Sequence, residues 1–539
     1  MTDLLAPRRA RAVEAPPAVV EERGGSPPNQ AETGPPSRLL WVLPLALVLL
    51  VQLLLSIRQH NTAFQDEALY LYVGHIDLLT WLHGATFHDF SLSWYAGWFS
   101  GDPYLYPPLA AIASALGGLE AARDLSLAFM LGSTVCVFGC GRRLFGVLPG
   151  LFGAALFGFS APTLFLGNFA TFDAPTIFLL SFAAWITCVA ADSDSHAMWG
   201  LTVAAGLIAG AGGLTKYVGI LFFPTLAVLS VMSTVSRSGW VRACVRGAVF
   251  ALSAAGALLT SVALQPEIVK GFTATTATRS VMGASRASTV VGTGAVLGRS
   301  LWYIGGIVVL GLFGCVTLRL RRAPPATQLL GAALFITSLL VTVGQAWLHT
   351  TVSLFKQDGY GLVFVAIIAG EGLAQLVRWW KGRAVVPVLG VIALLLSFAG
   401  NTFQTDMRWP NETNIINYMG TKVQPGKQVY LADLDQIFEY YLQDRTAVSQ
   451  WVSTDNFTYY DPTLHRSLTG LGAYRSAIDN SYFSLIVLGS KGPNEALDRE
   501  LDRAIHLSGH YKLVTEMLGN TGSTEKWTVF QAVIPANRT

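Results

Sequence analysis

Charged side chains are scarce. They make up 13% of the 539 residues, about half the share of a soluble globular protein, which excludes a soluble fold for most of the chain. Cysteine is sparse too. Cys136, Cys140, Cys188, Cys244 and Cys315 lie in or beside apolar runs, and none stands at metal-ligand spacing from a histidine. Neither a zinc site nor a disulfide framework is expected, and the thiols read as small buried hydrophobes. The polar stretch after Gly400 has no cysteine, no glycine-rich phosphate loop and no nucleophile elbow, so it is not expected to be catalytic. The net charge of +3 says less than where the charges sit, and no nucleic-acid partner is expected.

What is abundant is apolar sequence, 52% of the chain, in runs near the roughly 20 residues that cross a bilayer. The runs fall at about 39–57, 123–141, 147–167, 172–190, 198–214, 217–235, 247–264, 299–318, 327–347, 359–377 and 385–400. Residues 1–37, rich in Pro, Glu, Arg and Ala, read as a disordered cytoplasmic tail. The stretch "YPPLAAIASALGGLEAARD" is apolar but short and begins with Pro107-Pro108. It reads as an interfacial helix, because only then do all the Lys/Arg clusters, from Arg142-Arg143 to Arg378/Lys381/Arg383, fall on the cytoplasmic side. The expected architecture is a polytopic α-helical membrane protein of about eleven spans. Residues 38–400 form its membrane domain, with a long first outer loop at 58–122, and 401–539 form a soluble extracytoplasmic α/β domain.

That topology gathers ionisable residues at one face. Asp66 and Glu67 in "FQDEALYLYVGH" follow the first span, and Asp173 in "NFATFDAPTIFLL" opens the fourth. Lys216 in "GLTKYVG" sits between the fifth and sixth spans, and Lys356 and Tyr360 in "SLFKQDGYGLVF" open the tenth. None of these positions was used to set the topology. Each also has a plain structural reading. Asp66 and Glu67 suit a solvated loop or a helix N-terminus. Lys216 suits snorkelling to headgroups, and Asp173, with Pro175 behind it, suits a helix cap. A solitary acid inside an apolar run is more often functional or paired. The first loop also carries Trp81, Trp94, Tyr95, Trp98, Phe99, Tyr104 and Tyr106, which suit interfacial anchoring or a platform for a sugar ring. A Thr-, Ser- and Gly-rich loop at 266–298, with Arg279 and Arg286 inside it and Arg299 just beyond, reads as a mobile connector or a lid.

The acid pair of "DEALYLY" after the first span, then "YPPL", then "GRRLFG" closing the second, with Asp173, "LTK" and the Lys356–Tyr360 stretch, resembles the GT-C glycosyltransferases of the protein O-mannosyltransferase and aminoarabinose-transferase type (glycosyltransferase family 39-like). The resemblance runs along most of 39–378, carried by the order and spacing of the motifs. It implies a polyprenyl-phosphate-linked sugar donor, inversion at the anomeric carbon and an active site on the extracytoplasmic side of the cell membrane. By the same resemblance Asp66 is the base, Glu67 shapes the site, Asp173 is the acid of the fourth span, and Lys216 contacts phosphate. Tyr106 stands where members often have a basic residue before the double proline, and Leu69 where aminoarabinose-type enzymes have one after the acid pair. Donor-phosphate binding is therefore expected from Lys216, Lys356 or an arginine of 266–298, with Tyr360 beside them. No cofactor is identified; some GT-C enzymes use a divalent metal, which is compatible with the separated Asp66/Asp173 pair but not indicated by it.

After Gly400, "KQVYLAD", "YFSLIVLGS", "YKLVTEML" and "EKWTVFQAVI" read as strands and "NEALDRELDRAIHLSG" as an amphipathic helix. The function expected is transfer of a hexosyl or pentosyl group from a polyprenyl-phosphate donor to an extracytoplasmic lipid, glycan or protein acceptor. The competing readings are a transporter or lipid flippase, which calls for internal repeats and midplane polar residues, an oligosaccharyltransferase, whose "WWDYG"-type motif is missing, and a membrane-anchored binding protein, for which eleven spans are excessive.

Overall fold

The computed structural model describes residues 39–56, 60–87, 99–193, 195–275, 291–351, 353–380, 383, 388, 390–391, 411–454, 457–490, 495–519 and 525–533. The expected N-terminal tail, the run at 385–400 apart from a few positions, Trp94, Tyr95, Trp98, Arg279 and Arg286 lie outside them.

The membrane part runs through α1 (Leu39–Ser56), α2 (Gln65–His83), α3 (Tyr106–Phe145), α4 (Val147–Gly158), α5 (Ala161–Leu166), α6 (Asp173–Asp192) and α7 (Ser195–Thr215). A 3-10 turn (Tyr217–Phe222) then leads into α8 (Phe223–Met232), α9 (Val235–Leu264), α10 (Thr293–Leu320), α11 (Pro325–Trp347) and α12 (Leu354–Trp379). Among the described residues, seven helices are long and apolar enough to cross a membrane, and shorter apolar helices cover Trp41–Ser56, Val147–Gly158 and Tyr217–Met232. These coincide with the first ten predicted runs. The chain is a multi-pass membrane protein.

One detail agrees with the sequence reading and one differs from it. The short "YPPL" helix and the second span are, as expected, two helices; they follow one another within α3 across a kink where Gly117 and Gly118 leave helical geometry, Gly118 at φ +71°. A glycine pair tolerates that turn, and other residues resist it. The stretch read as the first outer loop contains the 19-residue helix α2, most of it buried, with Asp66 and Glu67 in its first turn.

Helix α12 is the axis of the bundle. Nearly all of its residues from Leu354 to Gln375 are buried, and it packs against α4, α10 and α11. Glycines permit the closest crossings. A Cβ on Gly314 of α10 would lie 2.2 Å from the Ile368 carbonyl oxygen, and one on Gly370 of α12 would lie 2.2 Å from that of Pro149. Without a hydrophobic force between helices in lipid, this close packing is the main source of cohesion.

The C-terminal domain begins with α13 (Thr413–Lys422), β1 (Tyr430–Ala432), α14 (Asp435–Tyr441) and β2 (Trp451–Ser453). A β3–β4 hairpin (Thr458–Asp461, Arg466–Thr469) and α15 (Gly470–Asp479) follow, then β5 (Leu485–Gly489), α16 (Glu495–Ser508), β6 (Tyr511–Leu518) and β7 (Lys526–Ala532). Its five-stranded sheet has the order β2-β1-β5-β7-β6. β1 pairs in parallel with β2 and β5, and β7 runs antiparallel to β5 and β6. The predicted strands and the amphipathic helix are all present. The strands β2, β3 and β4, of three or four residues each, were too short to show a period.

Gly314→Val should clash with backbone and sharply lower the melting temperature in detergent. Gly306→Val on the same helix, with nothing within 4 Å of a Cβ there, should stay within a few degrees of the parent. Equal melting of the two variants would contradict the close-crossing account.

Candidate active site

The site begins at the start of α2. Phe64 supplies the first helical carbonyl, accepting from the Ala68 amide at 2.8 Å, but phenylalanine has no acceptor to cap the turn. Glu67, three residues on, reaches back and its Oε2 accepts from the Phe64 amide at 2.8 Å, the carboxylate half of a capping box. The same carboxylate takes the Arg123 guanidinium in a fork, Nη2 to Oε2 at 2.8 Å and Nε to Oε1 at 3.0 Å. The Ala170 amide also donates to Oε1, at 2.7 Å. Glu67 is therefore fully buried and saturated, with Arg123 3% exposed. Arg123 also donates to the carbonyls of Asn61 and Thr62, at 3.0 and 3.2 Å. One guanidinium thus ties together the approach to α2, the start of α2 and, through Glu67, the turn before α6.

Asp66 points the other way. Its Oδ2 accepts from Lys356 Nζ at 2.8 Å, and its side chain keeps 39% of its surface exposed against 12% for the lysine. The Lys356 ammonium also sits 4.5 Å from the centre of the Phe64 ring, a cation–π contact.

Asp173 opens α6. Its partners are side chains from other elements rather than amides of its own helix. Oδ1 accepts from Lys216 Nζ at 2.5 Å and from the Tyr360 hydroxyl at 3.0 Å, and Oδ2 accepts from Thr171 Oγ1 at 3.3 Å. Lys216 lies in the extended break between α7 and the 3-10 turn, at φ −148° and ψ 126°, which turns its side chain inward. It is 6% exposed, so it pairs with Asp173 instead of snorkelling. That break is clamped by the segment before α3. The Asp102 amide donates to the Leu214 carbonyl and the Tyr217 amide to the Ser100 carbonyl, both at 2.8 Å. A Cβ on Gly101 would lie 1.9 Å from the Thr215 carbonyl oxygen, so only glycine admits this approach.

The two acid–lysine pairs belong to one cluster. Lys356 interacts electrostatically with both Asp66 and Asp173, and it stands one helical turn from Tyr360 on the same face of α12. Tyr70 of α2 faces both aspartates. Burial first, then the charges of Asp66 and Asp173, push its phenol well above the ordinary range, so it stays protonated. Tyr70 and Tyr106 pack on the Phe172 ring, with centroids 4.3 and 5.5 Å away. All six residues expected from the sequence therefore lie within one neighbourhood, Glu67 at its structural edge. Sequence reading missed Arg123, which lies in the quoted "GLEAARD", and Tyr70. The available signal for Arg123 was an arginine at the start of an apolar span, a costly position that calls for a partner.

Among the described residues, no group of three or more His, Cys, Asp or Glu is arranged to hold a metal ion. The carboxylates of the cluster face ammonium or guanidinium groups instead, so these described residues do not fit a metal and no step below passes through one. The cluster can accept a proton at Asp66, offer ammonium groups to an anion, and exclude water around Asp173.

Arg123→Leu leaves Glu67 buried without its partner and should cost about 3–5 kcal/mol, visible as a large fall in the melting temperature of the detergent-purified chain. Glu67→Gln/Arg123→Leu should recover part of that loss. Melting of Arg123→Leu at the parent temperature would mean that the pair contributes nothing.

The family model described as dolichyl-phosphate-mannose-protein mannosyltransferase matches residues 102–263. Among solved structures, the chain is similar to ArnT from Cupriavidus metallidurans in the apo state, with 15% identity over 90% of this chain and 97% of that one at a TM-score of 0.57. ArnT bound to undecaprenyl phosphate gives 16% identity over 90% and 97% of the two chains at 0.55. The oligosaccharyltransferase AglB from Archaeoglobus fulgidus, in complex with an inhibitory peptide and a dolichol-phosphate, gives 11% identity over 92% and 75% at 0.56. No curated protein matches the chain. These likenesses identify the fold. The chain is a multi-pass membrane protein with the GT-C glycosyltransferase fold and a small C-terminal sheet domain.

Proposed function

We propose that the chain is an inverting glycosyltransferase of the membrane. It takes a hexose or pentose from a polyprenyl-phosphate donor and passes it to a lipid, glycan or protein acceptor on the extracytoplasmic side. The observation that carries this reading is the division of labour among three neighbouring carboxylates. Glu67 and Asp173 are sealed into buried ion pairs, while Asp66 is open to solvent and holds a single lysine. A general base must reach the proton it removes, and Asp66 is the one of the three placed to do so.

In this reading the acceptor hydroxyl lies against Asp66. Its oxygen attacks the anomeric carbon and forms the new glycosidic bond as its proton passes to the Asp66 carboxylate. The bond from the anomeric carbon to the phosphate oxygen breaks, and polyprenyl phosphate leaves with the electron pair. Lys216 and Lys356 stabilise the charge that develops on the leaving phosphate, and Tyr360 contributes its hydroxyl. Fixed cations in a water-poor site act more strongly than solvated ones. Asp173 orients Lys216 and Tyr360 through a shared oxygen. Glu67 and Arg123 fix the turn that carries Asp66. The family match and the lipid phosphates bound by the similar ArnT and AglB structures support a polyprenyl-phosphate donor.

The test is transfer from a panel of labelled polyprenyl-phosphate sugars, mannose and pentose donors first, in purified membranes. Asp66→Asn keeps the shape and loses the base, and should lower turnover at least about a hundredfold with donor binding within twofold of the parent. A variant that turns over at the parent rate would remove Asp66 from that role. Lys216→Ala should weaken donor binding about tenfold or more, in line with the loss of a charge-assisted contact. Unchanged donor affinity would restrict Lys216 to pairing with Asp173.

A further inference from the structure

The C-terminal domain is built into the ground on which Asp66 stands. The Tyr441 hydroxyl, at the end of α14, accepts from the Ala63 amide at 2.8 Å across 378 positions of sequence. The Glu412 amide, just before α13, donates to Thr62 Oγ1 at 2.9 Å. Ala63 and Ala68 are completely buried in the same apolar cluster as Met419, Phe438, Trp451 and Trp527, so the core of the C-terminal domain closes over the first turn of α2. Tyr440 lies 3.5 Å, hydroxyl to hydroxyl, from Ser114 on the bent half of α3, and α14 packs along α2. Arg123 binds the carbonyls of the same segment from the membrane side. Residues 61–64 are thus held from both directions, two residues from Asp66.

We propose that the C-terminal domain is a positioning element of the reaction, with Tyr441 and the Glu412 amide fixing residues 62 and 63 and thereby the direction of the Asp66 carboxylate. The inference rests on Asp66 being the base. Tyr441 and Thr62 touch neither sugar nor phosphate in this scheme and act only through the turn they hold. The first turn of a helix has free amides and frays unless something binds them, and a reacting group displaced by about 1 Å can lose turnover by two orders of magnitude.

Three variants of the full chain in membranes test this. Tyr441→Phe removes one hydroxyl and leaves the ring in the core, Thr62→Val removes the acceptor from the opposite side, and Thr62→Ser keeps it. Tyr441→Phe and Thr62→Val should each lower kcat about tenfold with donor KM within twofold of the parent, and Thr62→Ser should restore parental turnover. In parallel, amide exchange of the peptide covering residues 61–68 should speed up about tenfold in the two impaired variants while the strands of the C-terminal domain keep their protection. Parental kcat in both Tyr441→Phe and Thr62→Val overturns the proposal. So does exchange that rises across the whole C-terminal domain in both, which would make the contacts merely structural. Full activity of Asp66→Asn would instead overturn the base assignment, and the exchange at 61–68 would still report on the tether by itself.

Discussion

A carboxylate with no access to water must meet a positive charge and enough donors to replace its hydration. Glu67 meets that demand through Arg123, 56 residues further along the chain, and through the amides of Phe64 and Ala170. Three segments have to converge before the carboxylate is satisfied: the approach to α2, the start of the second membrane span, and the turn before α6. Getting this wrong leaves a bare charge in the interior. The pair therefore specifies the arrangement more than it stabilises it relative to an apolar alternative. Everything chemical in the site hangs from its three arms, since Asp66 is next to Glu67 and Asp173 lies three residues beyond Ala170.

Exposure sorts the remaining charges. Asp173 with Lys216 is sealed, while Asp66 with Lys356 is open on the acid's side. A sealed pair cannot exchange protons with a substrate without first being broken, but it can hold a phenol and an ammonium at fixed positions. An open pair can trade its partner for a substrate hydroxyl. Lys356, beside the Phe64 ring and within the field of both aspartates, links the two environments.

Much of this could be read from the sequence because the bilayer restricts the alternatives. Helices must be long and apolar, loops charged, and sidedness biased by arginine. Those rules give ten runs that coincide with observed helices, and they bring Asp66, Asp173, Lys216, Lys356 and Tyr360 to one face. What stayed hidden followed no period. From Glu67 to Asp77, α2 is buried on nearly every side, so it lacks the apolar stripe that reveals a surface helix, and the stretch read as a loop. Arg123 went unremarked because its partner lies in a different segment, and pairing across 56 residues leaves no mark in local composition.

The C-terminal domain illustrates the same limit at larger scale. Strands β1, β5, β6 and β7 announced themselves by composition, but the domain's hold on the turn before Asp66 rests on two hydrogen bonds and two alanines. Alanine at 63 and 68 carries no sequence signal, yet both side chains are completely buried under the domain's core, and a larger residue at either position would lift the domain from the turn. A helix start that carries a solvent-open carboxylate cannot be fixed by burying that carboxylate. It has to be fixed by its neighbours, from the side facing away from the open carboxylate. Here the Arg123 guanidinium grips the carbonyls of the turn and the sheet domain grips its amide and hydroxyl, while the Asp66 carboxylate keeps a face open.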